Sequence, residues 1–159
     1  MTVGPHLGPA DLDLLASARS ATLATIAPDG VPRLVPVCFV LWTDGRLWIA
    51  LDEKPKRDDD PRSLARVRDI LERPSVALLV ERWSEDWSKL AWLRLTGSAS
   101  LVEPSAVPVD VVGALRERYP QYAGHDLESR PMLAIALERA VRWSAPDRVE
   151  VVDHDRPVD

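Results

Sequence analysis

The chain has 159 residues, of which 46% are apolar, and carries a formal charge of −5. That length fits one domain able to bury its own core without metals or disulfides, and the acidic balance excludes broad nucleic-acid binding, which depends on neutralising phosphates. No apolar run is long enough to cross a bilayer, Met1–Pro9 lacks the pattern of a secretory leader, and the single cysteine, Cys38, cannot form an internal disulfide, so a soluble cytoplasmic protein is expected.

In chain order, Pro9 to Ala18 reads as a short amphipathic helix with Leu12, Leu15 and Ala16 along one face. Ala21 to Ala27 reads as a strand, Pro28-Asp29-Gly30 as a hairpin turn, and Pro32 to Trp42 as the returning strand. Pro36 cannot donate to a ladder, so it marks an edge or a bulge where backbone can face a ligand. A second turn at Thr43-Asp44-Gly45 leads into a strand from Arg46 to Leu51, which completes a three-stranded meander.

The next segment carries Lys54, Lys56 and Arg57, then Asp58, Asp59 and Asp60, then a helix from Pro61 to Arg73. Asp60-Pro61 has the chemistry of a helix start, and the two lysines and the arginine beside it form either an anion cradle or a solvated, self-neutralising loop. Leu64, Val67, Ile70 and Leu71 mark the apolar side of this helix. At about 100° per residue, Arg62, Arg66, Asp69 and Arg73 fall on the other side, which reads as solvated. The anion reading then rests on Lys54, Lys56, Arg57 and the helix start near Ser63.

Ser75 to Trp83 and Leu90 to Glu103 read as an antiparallel pair, and Ser105 to Tyr119 as a helix directing Val112 and Leu115 to the core. Met132 to Trp143 suits a helix by its alanines and leucines and a strand by its Val141–Trp143 end. Residues 1–144 form one domain, and 145–159, charged and containing prolines, a weakly ordered tail.

His6, His125 and His154 are far apart and none has a partner at metal-ligand spacing, so no metal site is expected. The sequence holds no nucleophile elbow, no Gly-rich phosphate loop and no Cys and His pair, and no catalytic side chain can be named. An enzyme of this kind places its reactive chemistry in a bound cofactor. The chain offers a cationic loop for a phosphate, strand backbone around Val35 to Cys38 for ring edges, and tryptophans for a flat face. Trp83, Trp87 and Trp92 bracket one hairpin loop, where they serve either a ligand or cross-strand packing.

Taken together, ATLATIAPDGVPRLVPVCFVL, RLWIALDEKPKR, LARVRDILERPSVALLVERW and EDWSKLAWLRLTGSASL resemble the pyridoxamine 5'-phosphate oxidase-like split barrels. KPKR, EDW and WLRLTG are most similar to the actinobacterial branch of coenzyme F420-dependent enzymes, and the likeness spans roughly Leu12 to Trp143. The resemblance implies a mainly β fold, a six-stranded antiparallel split barrel of the FMN-binding type with Greek-key connections, and makes Met132 to Trp143 its last strand. It further implies a homodimer with coenzyme F420, or alternatively FMN, at the subunit interface, and an oxidoreductase passing hydride to an unsaturated or quinone-like small molecule. A non-enzymatic carrier or sensor of the same cofactor is the other reading.

By position, the resemblance makes Lys56 the phosphate-binding lysine, with Lys54 and Arg57 as supporters. Val35, Pro36, Val37 and Cys38 match the strand along the ring, and Trp48, Ile49 and Ala50 match the next strand of the groove. Trp83, Trp87 and Trp92 lie on the hairpin that approaches the partner's cofactor. The chain ends without the longer arginine-containing substrate segment of the vitamin B6 oxidases, so the resemblance does not imply that reaction.

Overall fold

The computed structural model of the chain describes residues 4–51, 60–145 and the backbone of 150–152. Helix α1 (Pro9–Ser17) begins on a proline, whose missing N–H would have no helical partner at that position. The Asp11 carboxylate accepts the Gly8 N–H at 2.9 Å and faces the Arg142 guanidinium at 3.5 Å. Leu14 and Leu15 are buried beside Asp11 while Leu12 and Ala16 are exposed, so the inward face is set by Asp11 and these two leucines rather than by the expected Leu12, Leu15 and Ala16.

Strands β1 (Ala21–Ile26) and β2 (Pro32–Val37) form the expected hairpin, with Gly30 supplying the positive φ of 86° that the turn requires. The returning strand does not run on to Trp42. It breaks at Cys38–Phe39, and the two-residue β3 (Val40–Leu41) pairs with β4 (Arg46–Ala50) across a turn in which Gly45 has φ of 77°. The three-stranded meander therefore does not form, because the break sends the chain from one end of the sheet to the other.

A 3-10 turn (Pro61–Ser63) capped by the Asp60 carboxylate precedes helix α2 (Ala65–Glu72), with Leu64 extended between them. Strands β5 (Ser75–Arg82) and β6 (Ala91–Val102) follow, then helix α3 (Val109–Arg118), strand β7 (Met132–Ser144) and strand β8 (Glu150–Val152). The antiparallel order is β2-β1-β5-β6-β7-β4-β3, with β8 on β7. Among the described residues there are eight strands where six were expected; the two short ones are β3 and β8, and β8 gives a strand to the segment expected to be a weak tail. Met132–Ser144 is a strand, as the resemblance implies.

The sheet curls into a half-closed barrel, and its concave face holds the main core: Leu23, Leu47, Ile49, Leu78, Leu93, Leu95 and Ile135, together with Leu15 of α1 and Val67 and Ile70 of α2. A second cluster lies outside the barrel wall, where Val111 and Leu115 of α3 cover Trp48, Ala50, Met132 and Ala134. The convex face of β2, β1, β5 and β6 carries no such helix cover and leaves Leu34, at 67% exposure, and Leu79 in solvent.

The curl tightens at Gly97, where the β6–β7 register shifts. A Cβ there would stand 2.1 Å from the Ala136 carbonyl oxygen, so only glycine allows the two strands to approach so closely.

At the β2–β3 break, the Tyr119 hydroxyl accepts the Phe39 N–H at 3.1 Å and donates to the Phe39 carbonyl at 3.0 Å. Phe39 is fully buried, and one side chain thus satisfies both polar groups of a residue that has left the ladder. Arg118 lies over the Phe39 ring at 4.8 Å and donates to the Leu15 and Ala18 carbonyls, which ties the end of α1 to the end of α3 across the same point. Tyr119→Phe leaves a buried donor and acceptor unmade, and a stability loss of about 1–3 kcal/mol is expected from urea unfolding. An unchanged midpoint would show that water replaces the hydroxyl at this break.

Candidate functional site

Because β2 and β4 stand near opposite ends of the curled sheet, the barrel is open along a split between them, and a recess of about 210 Å³ lies in that split. Pro36, Val37 and Cys38 form one wall, and Ile49 and Ala50 form the facing one. Ser20 at the entry to β1, Arg66 of α2 and Tyr122 of the 3-10 segment Pro120–Gly124 complete it. β3 pairs with β4 only at Leu47 and Trp48, so among the described residues no strand pairs with the Ile49–Ala50 edge beside the recess.

The opposing edge has a defined polarity. The Ala27 N–H donates to the Val31 carbonyl, so by alternation the residues bonded to β1 are Arg33, Val35 and Val37, while Pro32, Leu34 and Pro36 direct their backbone groups outward. Two of these three are prolines, which leaves the outer edge of β2 rich in carbonyl acceptors and nearly without donors. At the recess, Pro36 therefore offers a carbonyl and no N–H.

Arg66 is the site residue that helical phase misplaces. A single helix from Pro61 to Arg73 would put Arg62, Arg66, Asp69 and Arg73 in solvent, but the helix begins only at Ala65 and turns the side bearing Val67, Asp69 and Ile70 inward instead of the expected side with Leu64 and Leu71. Arg66 then reaches the recess, and Asp69 is 2% exposed, accepting from Thr25 Oγ1 at 2.8 Å and from Arg33 at 3.2 Å. Arg73 donates to the Ala27 carbonyl at 2.6 Å, Arg62 pairs with Glu103 at 2.6 Å, and Leu71 is 61% exposed instead of packed. Ser63 at the preceding turn donates its hydroxyl to the Asp60 carbonyl.

The remaining expected positions separate. Pro36, Val37, Cys38, Ile49 and Ala50 meet in the recess, while Val35 packs against the main core one position further back. Trp48 is fully buried under α3 and donates its indole N–H to Asp44 at 3.2 Å, so its ring does not line the recess. Trp83 and Trp87 stand at the β5–β6 hairpin with 69% and 71% exposure, and Trp92 borders a concavity on the convex face with Leu34, Leu79, Glu81 and Arg94. None of the three lines the recess. Lys54, Lys56 and Arg57 lie outside the described residues, as do Asp58, Asp59 and His154.

Tyr122 and Ser20 were not singled out in the sequence. Tyr122 carries no local signal, since what places it is a set of side-chain bonds from elsewhere. Arg116 donates to the Tyr122 and His125 carbonyls at 3.4 and 2.9 Å and forms a forked pair with Glu128. Arg130 Nε donates to the Leu51 carbonyl at 2.9 Å, tying the far end of this segment to the end of β4. The Glu128 carboxylate raises the Arg116 pKa through this pair, and the Arg116 guanidinium holds the Glu128 carboxyl below the usual range; the Ser129 hydroxyl holds Asp126 below it likewise. Among the described residues, no group of His, Cys, Asp and Glu is arranged to hold a metal, and no helix is long and apolar enough to cross a membrane.

A curled antiparallel sheet with a recess in the split between its two ends defines a split-barrel protein. The chain belongs to the pyridoxamine 5'-phosphate oxidase family, whose profile matches residues 7–145. No curated protein sequence matches it. Among solved structures it is similar to the conserved hypothetical protein Rv2991 of Mycobacterium tuberculosis, with 25% identity and a TM-score of 0.67 over 89% of this chain and 88% of that one. The same fold occurs in a Clostridium acetobutylicum protein related to general stress protein 26 of B. subtilis, of the pyridoxinephosphate oxidase family, with 16% identity and a TM-score of 0.61 over 92% and 93% of the chains. A haem-binding protein from Mycobacterium smegmatis also shares it, at 18% identity and a TM-score of 0.60 over 92% of this chain and 59% of that one.

The Arg116–Glu128 pair fixes a pH response. Because the folded Glu128 carboxyl has a lowered pKa, its contribution is complete above the unfolded pKa and is lost as pH falls through the folded one. Glu128→Gln is therefore expected to lower the melting temperature at neutral pH, with the gap to wild type closing in the acid range. A gap that persists at low pH would mean that Glu128 acts through something other than its charge.

Proposed function

We propose that the recess binds the ring of a flavin-type cofactor and that the protein is a coenzyme F420-dependent oxidoreductase acting on a small unsaturated or quinone-like molecule. The observation that carries this reading is the meeting of an acceptor-rich strand edge, an apolar wall and the Arg66 guanidinium in one recess. A deazaflavin or flavin pyrimidine ring carries an N–H that such an edge can accept, and an anionic tail that arginine and lysine can hold. Lys54, Lys56 and Arg57 follow Ala50 by four to seven positions in the sequence, which places three more cations directly after a recess wall.

When bound, the cofactor supplies the hydride chemistry that the chain's own side chains lack. In this reading Pro36 orients the ring through its carbonyl, Val37, Ile49 and Ala50 exclude water from it, and Arg66 with Lys56 holds the anionic end. FMN satisfies the same contacts and is the alternative cofactor. A carrier that binds either one without turnover is the non-enzymatic alternative. A haem reading, suggested by the name of the mycobacterial relative, has less support, since no described histidine lines the recess.

The recess is small for a tricyclic ring, and a second copy of the chain on the uncovered convex face would complete it. Leu34, Trp83 and Trp87 are the exposed apolar residues that such a homodimer would cover. Sedimentation equilibrium is expected to give twice the 17.7 kDa chain mass, and a monomer at micromolar concentration would contradict the dimer.

Fluorescence titration of the purified protein with F420 and with FMN tests the cofactor, and failure to bind either would sink the proposal. Lys56→Ala is expected to weaken binding by about 1–3 kcal/mol, the range for losing a charge-assisted hydrogen bond. Reoxidation of bound reduced cofactor by a panel of enones and quinones separates enzyme from carrier, since no acceptor should accelerate it in a carrier.

A further inference from the structure

A carboxylate is costly to bury unless donors meet it, and both oxygens of Asp69, which is 2% exposed, are met. Oδ2 accepts from Thr25 Oγ1 at 2.8 Å and Oδ1 from the Arg33 guanidinium at 3.2 Å. Thr25 is buried on β1 and Arg33 stands half-exposed on β2, so one side chain of α2 is tied to both strands of a hairpin. The same β2 gives Pro36 and Val37 to the recess.

Arg66 precedes Asp69 by three positions on α2 and lines the recess. The two residues project about 60° apart around the helix, so a rotation that moves one carries the other. Val67 and Ile70 hold α2 down on the main core, but apolar burial carries no direction. The hydrogen bonds of Asp69 do, and together with the Arg73 bond to the Ala27 carbonyl they fix how α2 is turned about its axis. That turn sets where the Arg66 guanidinium reaches.

We propose that Asp69 is a positioning residue for Arg66, and that the Thr25–Asp69–Arg33 contact sets the span between the Pro36 carbonyl edge and the Arg66 guanidinium. The recess thereby selects flat-ring ligands that carry an anionic group at that span. The inference rests on the reading of the recess as a cofactor site and names what selects the cofactor's charged end. Thr25, Arg33 and Asp69 do not themselves line the recess, so they act on a ligand only through what they hold.

Cys38 reports on the cation without any ligand, since it lines the recess with Arg66 and is the only cysteine of the chain. The full-length protein is alkylated at low ionic strength with iodoacetate and, separately, with iodoacetamide, two reagents that differ in charge and both consume the thiolate. A guanidinium in the recess speeds the anionic reagent relative to the neutral one, whereas looser packing or a changed thiolate fraction moves both rates together. Arg66→Gln is expected to lower the iodoacetate-to-iodoacetamide ratio about fivefold, the effect of one unit charge at close range in water, and Asp69→Asn to lower it in the same direction. In the double variant the second substitution is expected to add nothing. Should Asp69→Asn fail to fold, Arg33→Gln, which removes the half-exposed partner and leaves the Thr25 bond, carries the same expectation.

A wild-type ratio in Arg66→Gln or in folded Asp69→Asn overturns the proposal, as do losses that add in the double variant; Arg33→Gln stands in where Asp69→Asn does not fold. A second arm compares each cofactor with its tail-less counterpart, FMN with riboflavin and F420 with its bare deazaflavin chromophore. Asp69→Asn is expected to weaken the anionic member about tenfold and the tail-less one much less, and equal losses overturn the span. Failure of the wild-type protein to bind any of them counts against the cofactor reading and leaves the alkylation ratio to decide on Asp69, so the two ideas fail separately.

Discussion

A single phenol holds the architecture open. Where the chain leaves β2 it must stop pairing, turn, and resume at the far end of the sheet, and this takes Phe39 through a fully buried position with no ladder partner. The Tyr119 hydroxyl meets both the N–H and the carbonyl of that residue. With those groups satisfied, the break can stay dry, β2 and β4 can end up on opposite sides, and a split remains between them. The Arg118 side chain packs over the same ring and locks the helices that flank it.

Much of the frame was legible because its signals are local. Gly30 and Gly45 mark turns that need positive φ, Pro36 marks an edge, and the apolar runs of β5 and β6 give away their pairing. The break at Cys38–Phe39 was not legible, because VPVCFVLW reads as one continuous strand and its interruption is compensated by a tyrosine eighty positions away. Residues Met132–Ser144 were ambiguous for a related reason: alanine at positions 134, 136 and 140 argues for helix, and only pairing with β6 and β4 makes it a strand.

The site shows the same division. Pro36, Val37, Cys38, Ile49 and Ala50, which the resemblance puts on two strands of one groove, line one recess. The helical wheel puts Arg66 in solvent because it centres the inward side on Leu64, Val67, Ile70 and Leu71, whereas Leu64 lies outside the helix, Leu71 is 61% exposed and the inward side carries Asp69 beside Val67 and Ile70. Asp69 was lost by the same error, and its burial beside Thr25 and Arg33 is what fixes α2 against β1. Tyr122 has no sequence signal because a 3-10 turn positioned by distant guanidinium groups has no periodicity to read.

The prolines on the outer edge of β2 have a consequence for the chain as a solution species. A sheet that does not close leaves a terminal strand in contact with water, and such a strand is a template on which a neighbouring molecule can continue the ladder indefinitely. Pro32 and Pro36 deny that template two of its three outward donors, with only Leu34 between them able to bond. The barrel can therefore remain unsealed without inviting fibrous self-assembly, and the split is kept from becoming a route to aggregation.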